Sequence, residues 1–424
     1  MSTKIPGDKL AQFRNAAIYS ALDRKDQSSL EELASNRRLS VQQLRQVLEI
    51  ARDLQMWGIG PISSWIEELP PADPREGKRQ AVKTVDTLVS RWEEERRKGP
   101  EYTGNAPVYG ASPRSIMEST APATILGSCP VASEKTRCCN LQTLDAVINC
   151  GFGCTYCTIQ SFYDQGRIYL HSDLGRRLRE LHLDPERIYH IGTGQSSDSL
   201  MWGNRENLLA DLFDFARRNP NVILELKTKS DNISWLLENS PPPNVLVTWS
   251  LNSEQMIRWE ERGTAPLEKR LDAAARTARA GYLVGFHFHP MVPHDNWRES
   301  YAAVFSRLLS DFDPSRVAMT SFGTLTFIKP VIRAIRERGQ ATQVLRMPLT
   351  ETAGKYSYPE ETKVDLFRFG YESLAAWHEK VFFYLCMEPA GLWEPVFGFS
   401  YPDNTSFEEA MKLSYRSKIL SPRF

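Results

Sequence analysis

Three cysteines within eight residues give the clearest chemical signal in this chain. Cys150, Cys154 and Cys157 have the spacing C-x3-C-x2-C in the segment INCGFGCTYCTIQSFY. A structural zinc site has four ligands, often as two C-x2-C halves, and no second half follows here. Three thiolates on one loop suit an iron–sulfur cube better, because the fourth iron then stays open for a small chelating molecule. The spacing alone also allows three buried thiols that bind no metal.

Bulk composition excludes several classes of protein. The chain has 424 residues with 41% hydrophobic content, and its 52 basic side chains balance 52 acidic ones. No global basic excess therefore indicates a nucleic-acid partner, although a local basic groove is compatible with these totals. The first residues, MSTKIPGDKLAQF, lack the apolar core of a signal peptide, and the longest apolar runs are only strand-sized. We expect a cytoplasmic protein without a membrane span, in which clustered cysteines bind metal or catalyse.

The elements that must position these cysteines change character at about residue 142. Apolar, β-branched segments begin there and alternate with helical patterns: LDAVINC, RIYHIG, NVILELKTK, NVLVTWSLN, GYLVGFHFHP, RVAMTSFG and KVFFYLC. This alternation predicts parallel βα units and an α/β fold. Seven such strands in about 250 residues favour a full or partial TIM-type (β/α) barrel, with a doubly wound sheet as the alternative.

Polar and reactive side chains follow several of these predicted strands. They are Cys150, residues 192–197, Lys229, Ser250 with Asn252, and His287 with His289. The carboxyl ends of parallel strands gather at one edge of a sheet, where α/β enzymes carry their active sites. We therefore expect these residues to form one site.

The N-terminal part reads as a mostly helical extension over residues 1–105. The segment KLAQFRNAAIYSAL predicts a first helix, Ser29 a second with Glu32 at its capping-box position, and Ser40 a third. Two short helices joined by a tight turn are compatible with a helix-turn-helix or winged-helix arrangement, and equally with a plain helical scaffold. We expect an irregular lead-in over 106–140, the barrel over 141–390 and a packed tail over 391–424.

Beyond these patterns, the chain resembles the spore photoproduct lyase family of the radical SAM superfamily over about residues 140–390. The motifs that carry the resemblance are NCGFGCTYC, GQSSD at 194–198, KTKS at 227–230, WSLNSEQMI at 249–257, RLDAAARTARAGYLVGFHFHPMV at 270–292 and GKYSYPEE at 354–361. The resemblance implies a partial barrel, a 4Fe–4S cluster and S-adenosylmethionine. It also implies reductive cleavage of that cofactor to a 5′-deoxyadenosyl radical, which takes hydrogen from a methylene-bridged thymine dimer in DNA.

The same resemblance implies roles for individual residues. The three cysteines would each hold one iron. The cofactor-binding set is Gly194, Lys229, Ser250 and His289, with Lys229 meeting the methionine part of the cofactor, where a cation suits a carboxylate. His289 is a departure, because the family commonly has a small residue there whose backbone approaches the cofactor.

Candidate catalytic residues come from the same alignment. Tyr156 matches a family tyrosine tied to radical transfer, and Tyr356 and Tyr358 match the element near the lesion. Gln195 takes the place of the cysteine that donates the final hydrogen in the family, a role that an amide cannot fill, and Thr158 replaces a second tyrosine. One of the other cysteines could supply a thiol by another route: Cys129, Cys138, Cys139 or Cys386.

Three functions remain compatible with these residues. The first is a lyase-like DNA repair enzyme that acts on damaged, thymine-containing DNA and receives electrons from a flavodoxin or ferredoxin, with no membrane partner. The second is a radical SAM enzyme that acts on a nucleoside or another small molecule. The third is a nucleic-acid-binding redox sensor without turnover, which Lys229 and Ser250 disfavour because a sensor needs no grip on the cofactor.

Overall fold

The computed structural model describes residues 9–73, 75–107, 115–119, 125–129, 136–158, 166–352 and 354–421. The chain divides into two compact units, which we call the N-terminal unit (residues 1–107 and 326–358) and the barrel unit (residues 108–325 and 359–424). Residues 326–358 fall within the segment that the sequence assigns to the barrel, and they group with the N-terminal unit. Parts of the predicted lead-in, 108–114, 120–124 and 130–135, lie outside the described residues.

Helices and strands alternate through most of the barrel unit. The α-helices are α1 Ala17–Ser20, α2 Arg24–Arg37, α3 Val41–Trp57, α4 Ile62–Glu67, α5 Lys78–Lys98, α6 Leu174–Glu180, α7 Leu208–Arg218, α8 Ser234–Glu238, α9 Glu254–Glu260, α10 Leu267–Arg279, α11 Trp297–Asp311, α12 Lys329–Arg338, α13 Glu360–Ser373, α14 Trp393–Phe397 and α15 Asn404–Leu420. The strands are β1 Ser115–Ser119, β2 Leu126–Ser128, β3 Gln142–Leu144, β4 Val147–Ile148, β5 Arg167–His171, β6 Tyr189–Gly192, β7 Val222–Thr228, β8 Val245–Ser250, β9 Leu283–Met291, β10 Val317–Thr324, β11 Thr350–Thr352, β12 Lys355–Ser357 and β13 Phe382–Leu385. Among the described residues, none of the helices has the length and apolar content needed to cross a bilayer.

The N-terminal unit is built from α1–α5, α12 and the β11–β12 hairpin. The capping box that the sequence predicts at Ser40 is present: its hydroxyl accepts a bond from the Gln43 amide, and the Gln43 side chain accepts one from the Ser40 amide. The predicted start of a helix at Ser29 is wrong, because α2 begins five residues earlier. Asp23 caps it by accepting a bond from the Asp26 amide at 2.8 Å.

The first predicted helix is shorter than its apolar spacing suggests. Within KLAQFRNAAIYSAL only Ala17–Ser20 is α-helical, and residues 9–15 form turns. Helices of this length are stabilised by packing rather than by local propensity. Tyr19, Leu10 and Phe13 are buried nonetheless, so the apolar pattern marks burial correctly while the type of backbone differs.

The barrel unit contains a mixed sheet with the strand order β13-β10-β9-β8-β7-β6-β3-β2. From β13 to β3 every neighbouring pair is parallel, and only β2 runs antiparallel at its edge. The sheet forms an open half-barrel with surrounding helices. This confirms the predicted partial (β/α) barrel rather than the doubly wound alternative.

The strands read as continuous apolar runs because both faces are covered. Every residue of β8 and β10 is buried, as is typical of parallel strands with packed layers on each side. Six of the seven predicted strands coincide with barrel strands. The exception is LDAVINC, which splits: β3 ends at Leu144, and β4 instead pairs antiparallel with β5 in a separate sheet.

Candidate active site

The loop that carries the three cysteines leaves the short strand β4 through a sharp turn at Asn149. Asn149 has a left-handed backbone with φ of 72°, a conformation that asparagine tolerates well. Its side chain donates to the carbonyl of Arg167 at 2.7 Å and accepts from the amide of Cys150 at 2.8 Å. The turn therefore aims the first cysteine away from the small sheet.

Backbone contacts then hold the loop against the segment that follows α9. The amide of Gly153 donates to the carbonyl of Arg262, and the amide of Thr155 donates to the carbonyl of Glu260. A β-carbon at Gly151 would lie 2.3 Å from the terminal methyl of Met201, so a larger residue there would require that flexible side chain to move. The loop is thus fixed at several points along its length.

Nine of the residues singled out from the sequence line one cavity of about 210 Å³ in the barrel unit. They are Cys150, Cys154, Tyr156, Cys157, Gly194, Gln195, Lys229, Ser250 and His289. The cysteines and Tyr156 come from the loop after β4, and the other five come from the carboxyl ends of β6 to β9. The structure therefore brings this set together, while the role of each residue stays a prediction.

The two remaining candidates lie in the N-terminal unit and do not line this cavity. Tyr356 is on β12, where its hydroxyl donates to Glu351 and its backbone pairs with Phe327. Tyr358 is only 2% exposed and belongs to the core of its unit. Their predicted place near the lesion stays untested.

A buried carboxylate, Glu261, organises the charged side of the cavity. Its carboxylate lies 2.6 Å from the guanidinium of Arg270 and 3.9 Å from the ammonium of Lys229. It also accepts a hydrogen bond from the hydroxyl of Tyr156. Burial alone would raise the pKa of Glu261, but the charges of Lys229 and Arg270 outweigh burial and lower it. Two cations therefore share one carboxylate, which leaves net positive charge at Lys229.

Tyr156 is a neutral phenol in this arrangement. Burial raises the pKa of Tyr156 well above its ordinary value, and the nearby negative charge of Glu261 raises it further. The Lys229 ammonium lies 5.8 Å from the ring centroid of Tyr156. The phenol, the ammonium and the carboxylate thus form one connected group beside the cysteines.

Asp198 places Lys229 at the cavity. One carboxylate oxygen accepts a hydrogen bond from the backbone amide of Lys229 at 2.6 Å, and the other accepts one from the hydroxyl of Thr228 at 2.8 Å. Gly194 lies in the loop after β6, against the neighbouring strand β7: a β-carbon there would be 2.7 Å from the backbone oxygen and the β-carbon of Lys227. The loop after β6 can therefore lie directly against β7 only with glycine at this position.

A hydrogen-bond relay runs from His289 into the interior of the half-barrel. Nε2 of His289 lies 3.0 Å from the hydroxyl of Ser321, which lies 2.7 Å from Nδ1 of His287. Nε2 atoms of His287 and His190 reach the two oxygens of Glu225 at 2.7 and 2.8 Å. Since a carboxylate only accepts, both rings donate from Nε2, the Ser321 hydroxyl donates to His287, and His289 donates to Ser321.

This relay leaves Nδ1 of His289 as an acceptor on a neutral ring. Burial lowers the pKa of His289 well below its ordinary value, and the nearby Lys227 cation lowers it further. Burial likewise lowers the pKa of His287 to about 4, even though Glu225 opposes that shift. The ring at the cavity wall can therefore accept a hydrogen bond without carrying charge.

The four other cysteines line a second cavity of about 80 Å³ in the barrel unit. They are Cys129, Cys138, Cys139 and Cys386, and none of the chain's cysteines, all of which are described, is in a disulfide. Gln195, Lys227 and His289 line both cavities. Gln195 thus stands where the two cavities meet.

The three thiols of the loop fit a cluster better than a single ion. In the part of the chain that the structure describes, no three His, Cys, Asp or Glu side chains converge closely enough to hold one metal ion. A closed zinc site requires such convergence, whereas three cysteines that bind three different irons surround a volume. The residues present therefore fit the 4Fe–4S cluster.

Several residues of this site are not apparent from the sequence. Glu261 follows an equally acidic Glu260, and no spacing distinguishes them. Ser197 lines the first cavity, is 6% exposed, and its hydroxyl has no partner among the described residues. The motif GQSSD contains Ser197 and Asp198, so their position after a strand was the available signal.

Comparison with known proteins identifies the family. The model for spore photoproduct lyase matches residues 147–367, just over half of the chain. The chain belongs to the spore photoproduct lyase family. It is 26% identical over 213 residues to the spore photoproduct lyase of Geobacillus sp. (strain Y412MC61), which covers 48% of this chain and 61% of that protein. To the Bacillus subtilis (strain 168) protein it is 29% identical over 137 residues, covering 32% and 39%.

The chain therefore spans about three fifths of the first relative in this family and two fifths of the second. A solved spore photoproduct lyase variant with bound AdoMet and dinucleoside spore photoproduct matches with a TM-score of 0.53 and 19% identity. That match covers 71% of this chain and 94% of the other. It shows that the half-barrel is the fold of this radical SAM family.

Proposed function

We propose that the chain is a radical SAM enzyme, a carbon–carbon lyase that repairs a thymine-dimer-type lesion in DNA. The observation that carries the proposal is the shared cavity of about 210 Å³, where the three loop cysteines meet Gly194, Lys229, Ser250 and His289. When bound, a reduced 4Fe–4S cluster supplies the electron that splits S-adenosylmethionine into methionine and the 5′-deoxyadenosyl radical that takes hydrogen from the lesion.

The chain's own residues bind the cluster and orient S-adenosylmethionine. Cys150, Cys154 and Cys157 hold three irons. Lys229 carries the positive charge that its shared carboxylate does not neutralise, and it binds the carboxylate of S-adenosylmethionine. The neutral His289 ring accepts a hydrogen bond from the cofactor or substrate through Nδ1.

Tyr156 and Gln195 act closer to the reaction. The phenol of Tyr156 donates a hydrogen bond to Glu261 and is protonated at neutral pH. In this protonated form it takes part in radical transfer. Gln195 lies at the wall where the family resemblance places a hydrogen-donating cysteine. An amide N–H bond is a poor source of hydrogen atoms, so the closing hydrogen comes from another donor.

The partners follow from the same proposal. Solved relatives carry dinucleoside spore photoproduct, and we transfer that class of substrate to this chain as damaged, thymine-containing DNA. A flavodoxin or ferredoxin supplies the electron, and the reaction takes place in the cytoplasm.

The decisive experiment gives anaerobically reconstituted, reduced protein S-adenosylmethionine and a synthetic dinucleotide spore photoproduct. Released thymine dinucleotide and 5′-deoxyadenosine are measured by chromatography. We expect both in the wild-type protein and neither in Cys154→Ala, whereas the matched thiol variant Cys139→Ala retains the formation of 5′-deoxyadenosine. 5′-Deoxyadenosine without dinucleotide repair would favour a small-molecule substrate, and no 5′-deoxyadenosine at all would favour a redox sensor.

A further inference from the structure

The N-terminal unit contains a groove of about 800 Å³ that the proposed chemistry does not use. Five cations line it, Arg45, Arg96, Lys329, Arg333 and Arg336, together with the carboxylates Glu49 and Glu337. Asp53 and Glu351, outside the lining, pair with Arg336 and Lys329, so the cations exceed the nearby carboxylates by one. The whole chain has no net charge, so this excess is local. A local excess of positive charge in a concave surface attracts and concentrates anions.

Internal ion pairs account for only part of this charge. Arg336 is bound on both sides, by Asp53 at 2.8 Å and by Glu49 at 2.7 Å, and Arg333 pairs with Glu337 at 2.7 Å. The partly buried pairs of Arg336 hold the groove wall in place, whereas the exposed Arg333–Glu337 pair is screened by solvent. These pairs do not involve the other three cations of the groove, Arg45, Arg96 and Lys329.

Two of those three cations have no ion pair among the described residues. Arg45 is exposed, and Arg96 donates from Nε to the carbonyl of Met347 at 2.9 Å. Lys329 lies 3.9 Å from Glu351, but both side chains are largely exposed, at 74% and 47%, so solvent screens that pair. The three cations are therefore available to an external anion.

Each of the three cations stands over an aromatic ring of the same groove. The guanidinium of Arg45 lies 5.9 Å from the ring of Phe13, and that of Arg96 lies 4.6 Å from Trp92. The ammonium of Lys329 lies 5.8 Å from Tyr356. Cations held on ring faces keep their position at a low entropic cost. The rings position the cations and are not offered as stacking faces for bases, since Phe13 is only 6% exposed. A positively charged groove that follows the backbone is a common feature of binding sites for single nucleic-acid strands.

We propose that this groove binds the sugar–phosphate backbone of the DNA strand that carries the lesion. That the bound polymer is DNA rests on the proposed repair function. That the groove binds a polyanion rests on the groove alone. Arg45, Arg96 and Lys329 contact successive phosphates, and the partly buried ion pairs of Arg336 stiffen the wall. The N-terminal extension thereby adds affinity for long DNA that a dinucleotide cannot use.

The test measures binding of a fluorescein-labelled single-stranded oligonucleotide containing one spore photoproduct, over a series of salt concentrations. The double variant Arg45→Glu with Lys329→Glu should bind about tenfold or more weakly. The slope of log affinity against log salt should also become smaller by about 1.5, because two phosphate contacts are lost. The matched control is Arg24→Glu with Lys78→Glu, which makes the same change of charge at exposed residues of the same unit outside the groove.

Turnover of the dinucleotide separates this inference from the proposed function. Both double variants should repair the dinucleotide at the wild-type rate, and only the groove variant should lose repair of the long oligonucleotide at low concentration. Equal oligonucleotide affinity in the two double variants would overturn the groove assignment, as would competition by poly-glutamate at the concentration at which DNA competes. If no protein repairs the dinucleotide while the groove variant still loses DNA binding, the repair proposal fails and the groove assignment stands.

Discussion

The two cysteine sets of the barrel unit line cavities that meet, yet they reach them by different routes. Cys150, Cys154 and Cys157 lie within one loop, so their spacing in the sequence brings them together. In the second set, Cys129 directly follows β2 and Cys386 directly follows β13. Those strands are the opposite edges of the eight-stranded sheet, so their meeting in one cavity shows that the half-barrel curls until its edges approach.

The difference teaches that closeness of cysteines has two physical causes. In the loop, the sequence spacing itself places thiols around a volume that a cluster can fill. At the seam between the sheet edges, folding places the cysteines together in one cavity. Burial raises the pKa of Cys386 to about 12, so this thiol keeps its proton at neutral pH.

The largest expected effect separates the two sets directly. Cys154→Ala removes one ligand of the loop, and we expect the reconstituted protein to lose cluster iron and to cleave S-adenosylmethionine no faster than background. Cys139→Ala changes the same atoms at the seam and should retain both. Iron analysis and electron paramagnetic resonance of the reduced protein check this. Equal iron loss in the two variants would erase the distinction between the sets.

Much of this contrast could be predicted from the sequence, and the rest could not. The cysteine loop, the ends of β7 to β9 and the parallel alternation are local patterns, so they are visible before folding. The seam is not, because it joins residues more than 250 positions apart through strand order. Glu261 could not be predicted from the sequence for a related reason. Its place in the site depends on contacts with Lys229, Tyr156 and Arg270, and each of these residues looks ordinary in its own segment.

Acid should destabilise the hydrogen-bond relay of His289, Ser321, His287 and Glu225, which borders the cavity of about 80 Å³. The pKa of His287 is about 4, below the ordinary value of about 6.5, so folding favours the neutral ring. Its stabilising contribution is complete above pH 6.5 and is lost as the pH falls toward 4. We expect the free energy of unfolding to fall by about 3 kcal/mol more in the wild-type protein than in His287→Asn over this range.

Urea unfolding of the reduced protein without cluster, at a series of pH values, measures that difference. Asparagine does not titrate, so the pH dependence of the difference reports the proton on His287, while loss of the Nε2 bond to Glu225 lowers stability equally at every pH. His182→Asn, at an exposed position, is the control and should follow the wild-type curve. Parallel curves for His287→Asn and the wild-type protein would show that the relay does not resist protonation.

A smaller effect is expected at the lysine that belongs to the first cavity alone. Lys229→Met keeps the length of the side chain but removes the charge that faces the cavity. We expect S-adenosylmethionine to bind about tenfold to a hundredfold more weakly, as for the loss of a charge-assisted hydrogen bond of about 1.5–3 kcal/mol. Equilibrium dialysis with the reconstituted protein measures the affinity, and iron content should be unchanged.

Lys269→Met, on the exposed face of α10, is the matched control and should bind the cofactor normally. If Lys229→Met also binds normally, the cofactor carboxylate is held by other groups. In that case the shared pairing with Glu261 is a structural ion network without a ligand.

The smallest effect is expected at the residue that lines both cavities. Gln195→Cys places a thiol, whose S–H bond readily gives up a hydrogen atom, where the cysteine loop and the seam meet. If a thymine lesion is the substrate, the fraction of clean thymine dinucleotide among the products should rise a few-fold, while the rate of cofactor cleavage stays the same.

Gln195→Ser is the matched control, because its hydroxyl has nearly the same size as the thiol and a much stronger bond to hydrogen. The comparison rests on the ratio of products rather than on rate, so a general disturbance of the wall would move both variants together. A product ratio that is the same in Gln195→Cys, Gln195→Ser and the wild-type protein would mean that residue 195 does not face the substrate radical, and that the closing hydrogen arrives from the other side of the cavity.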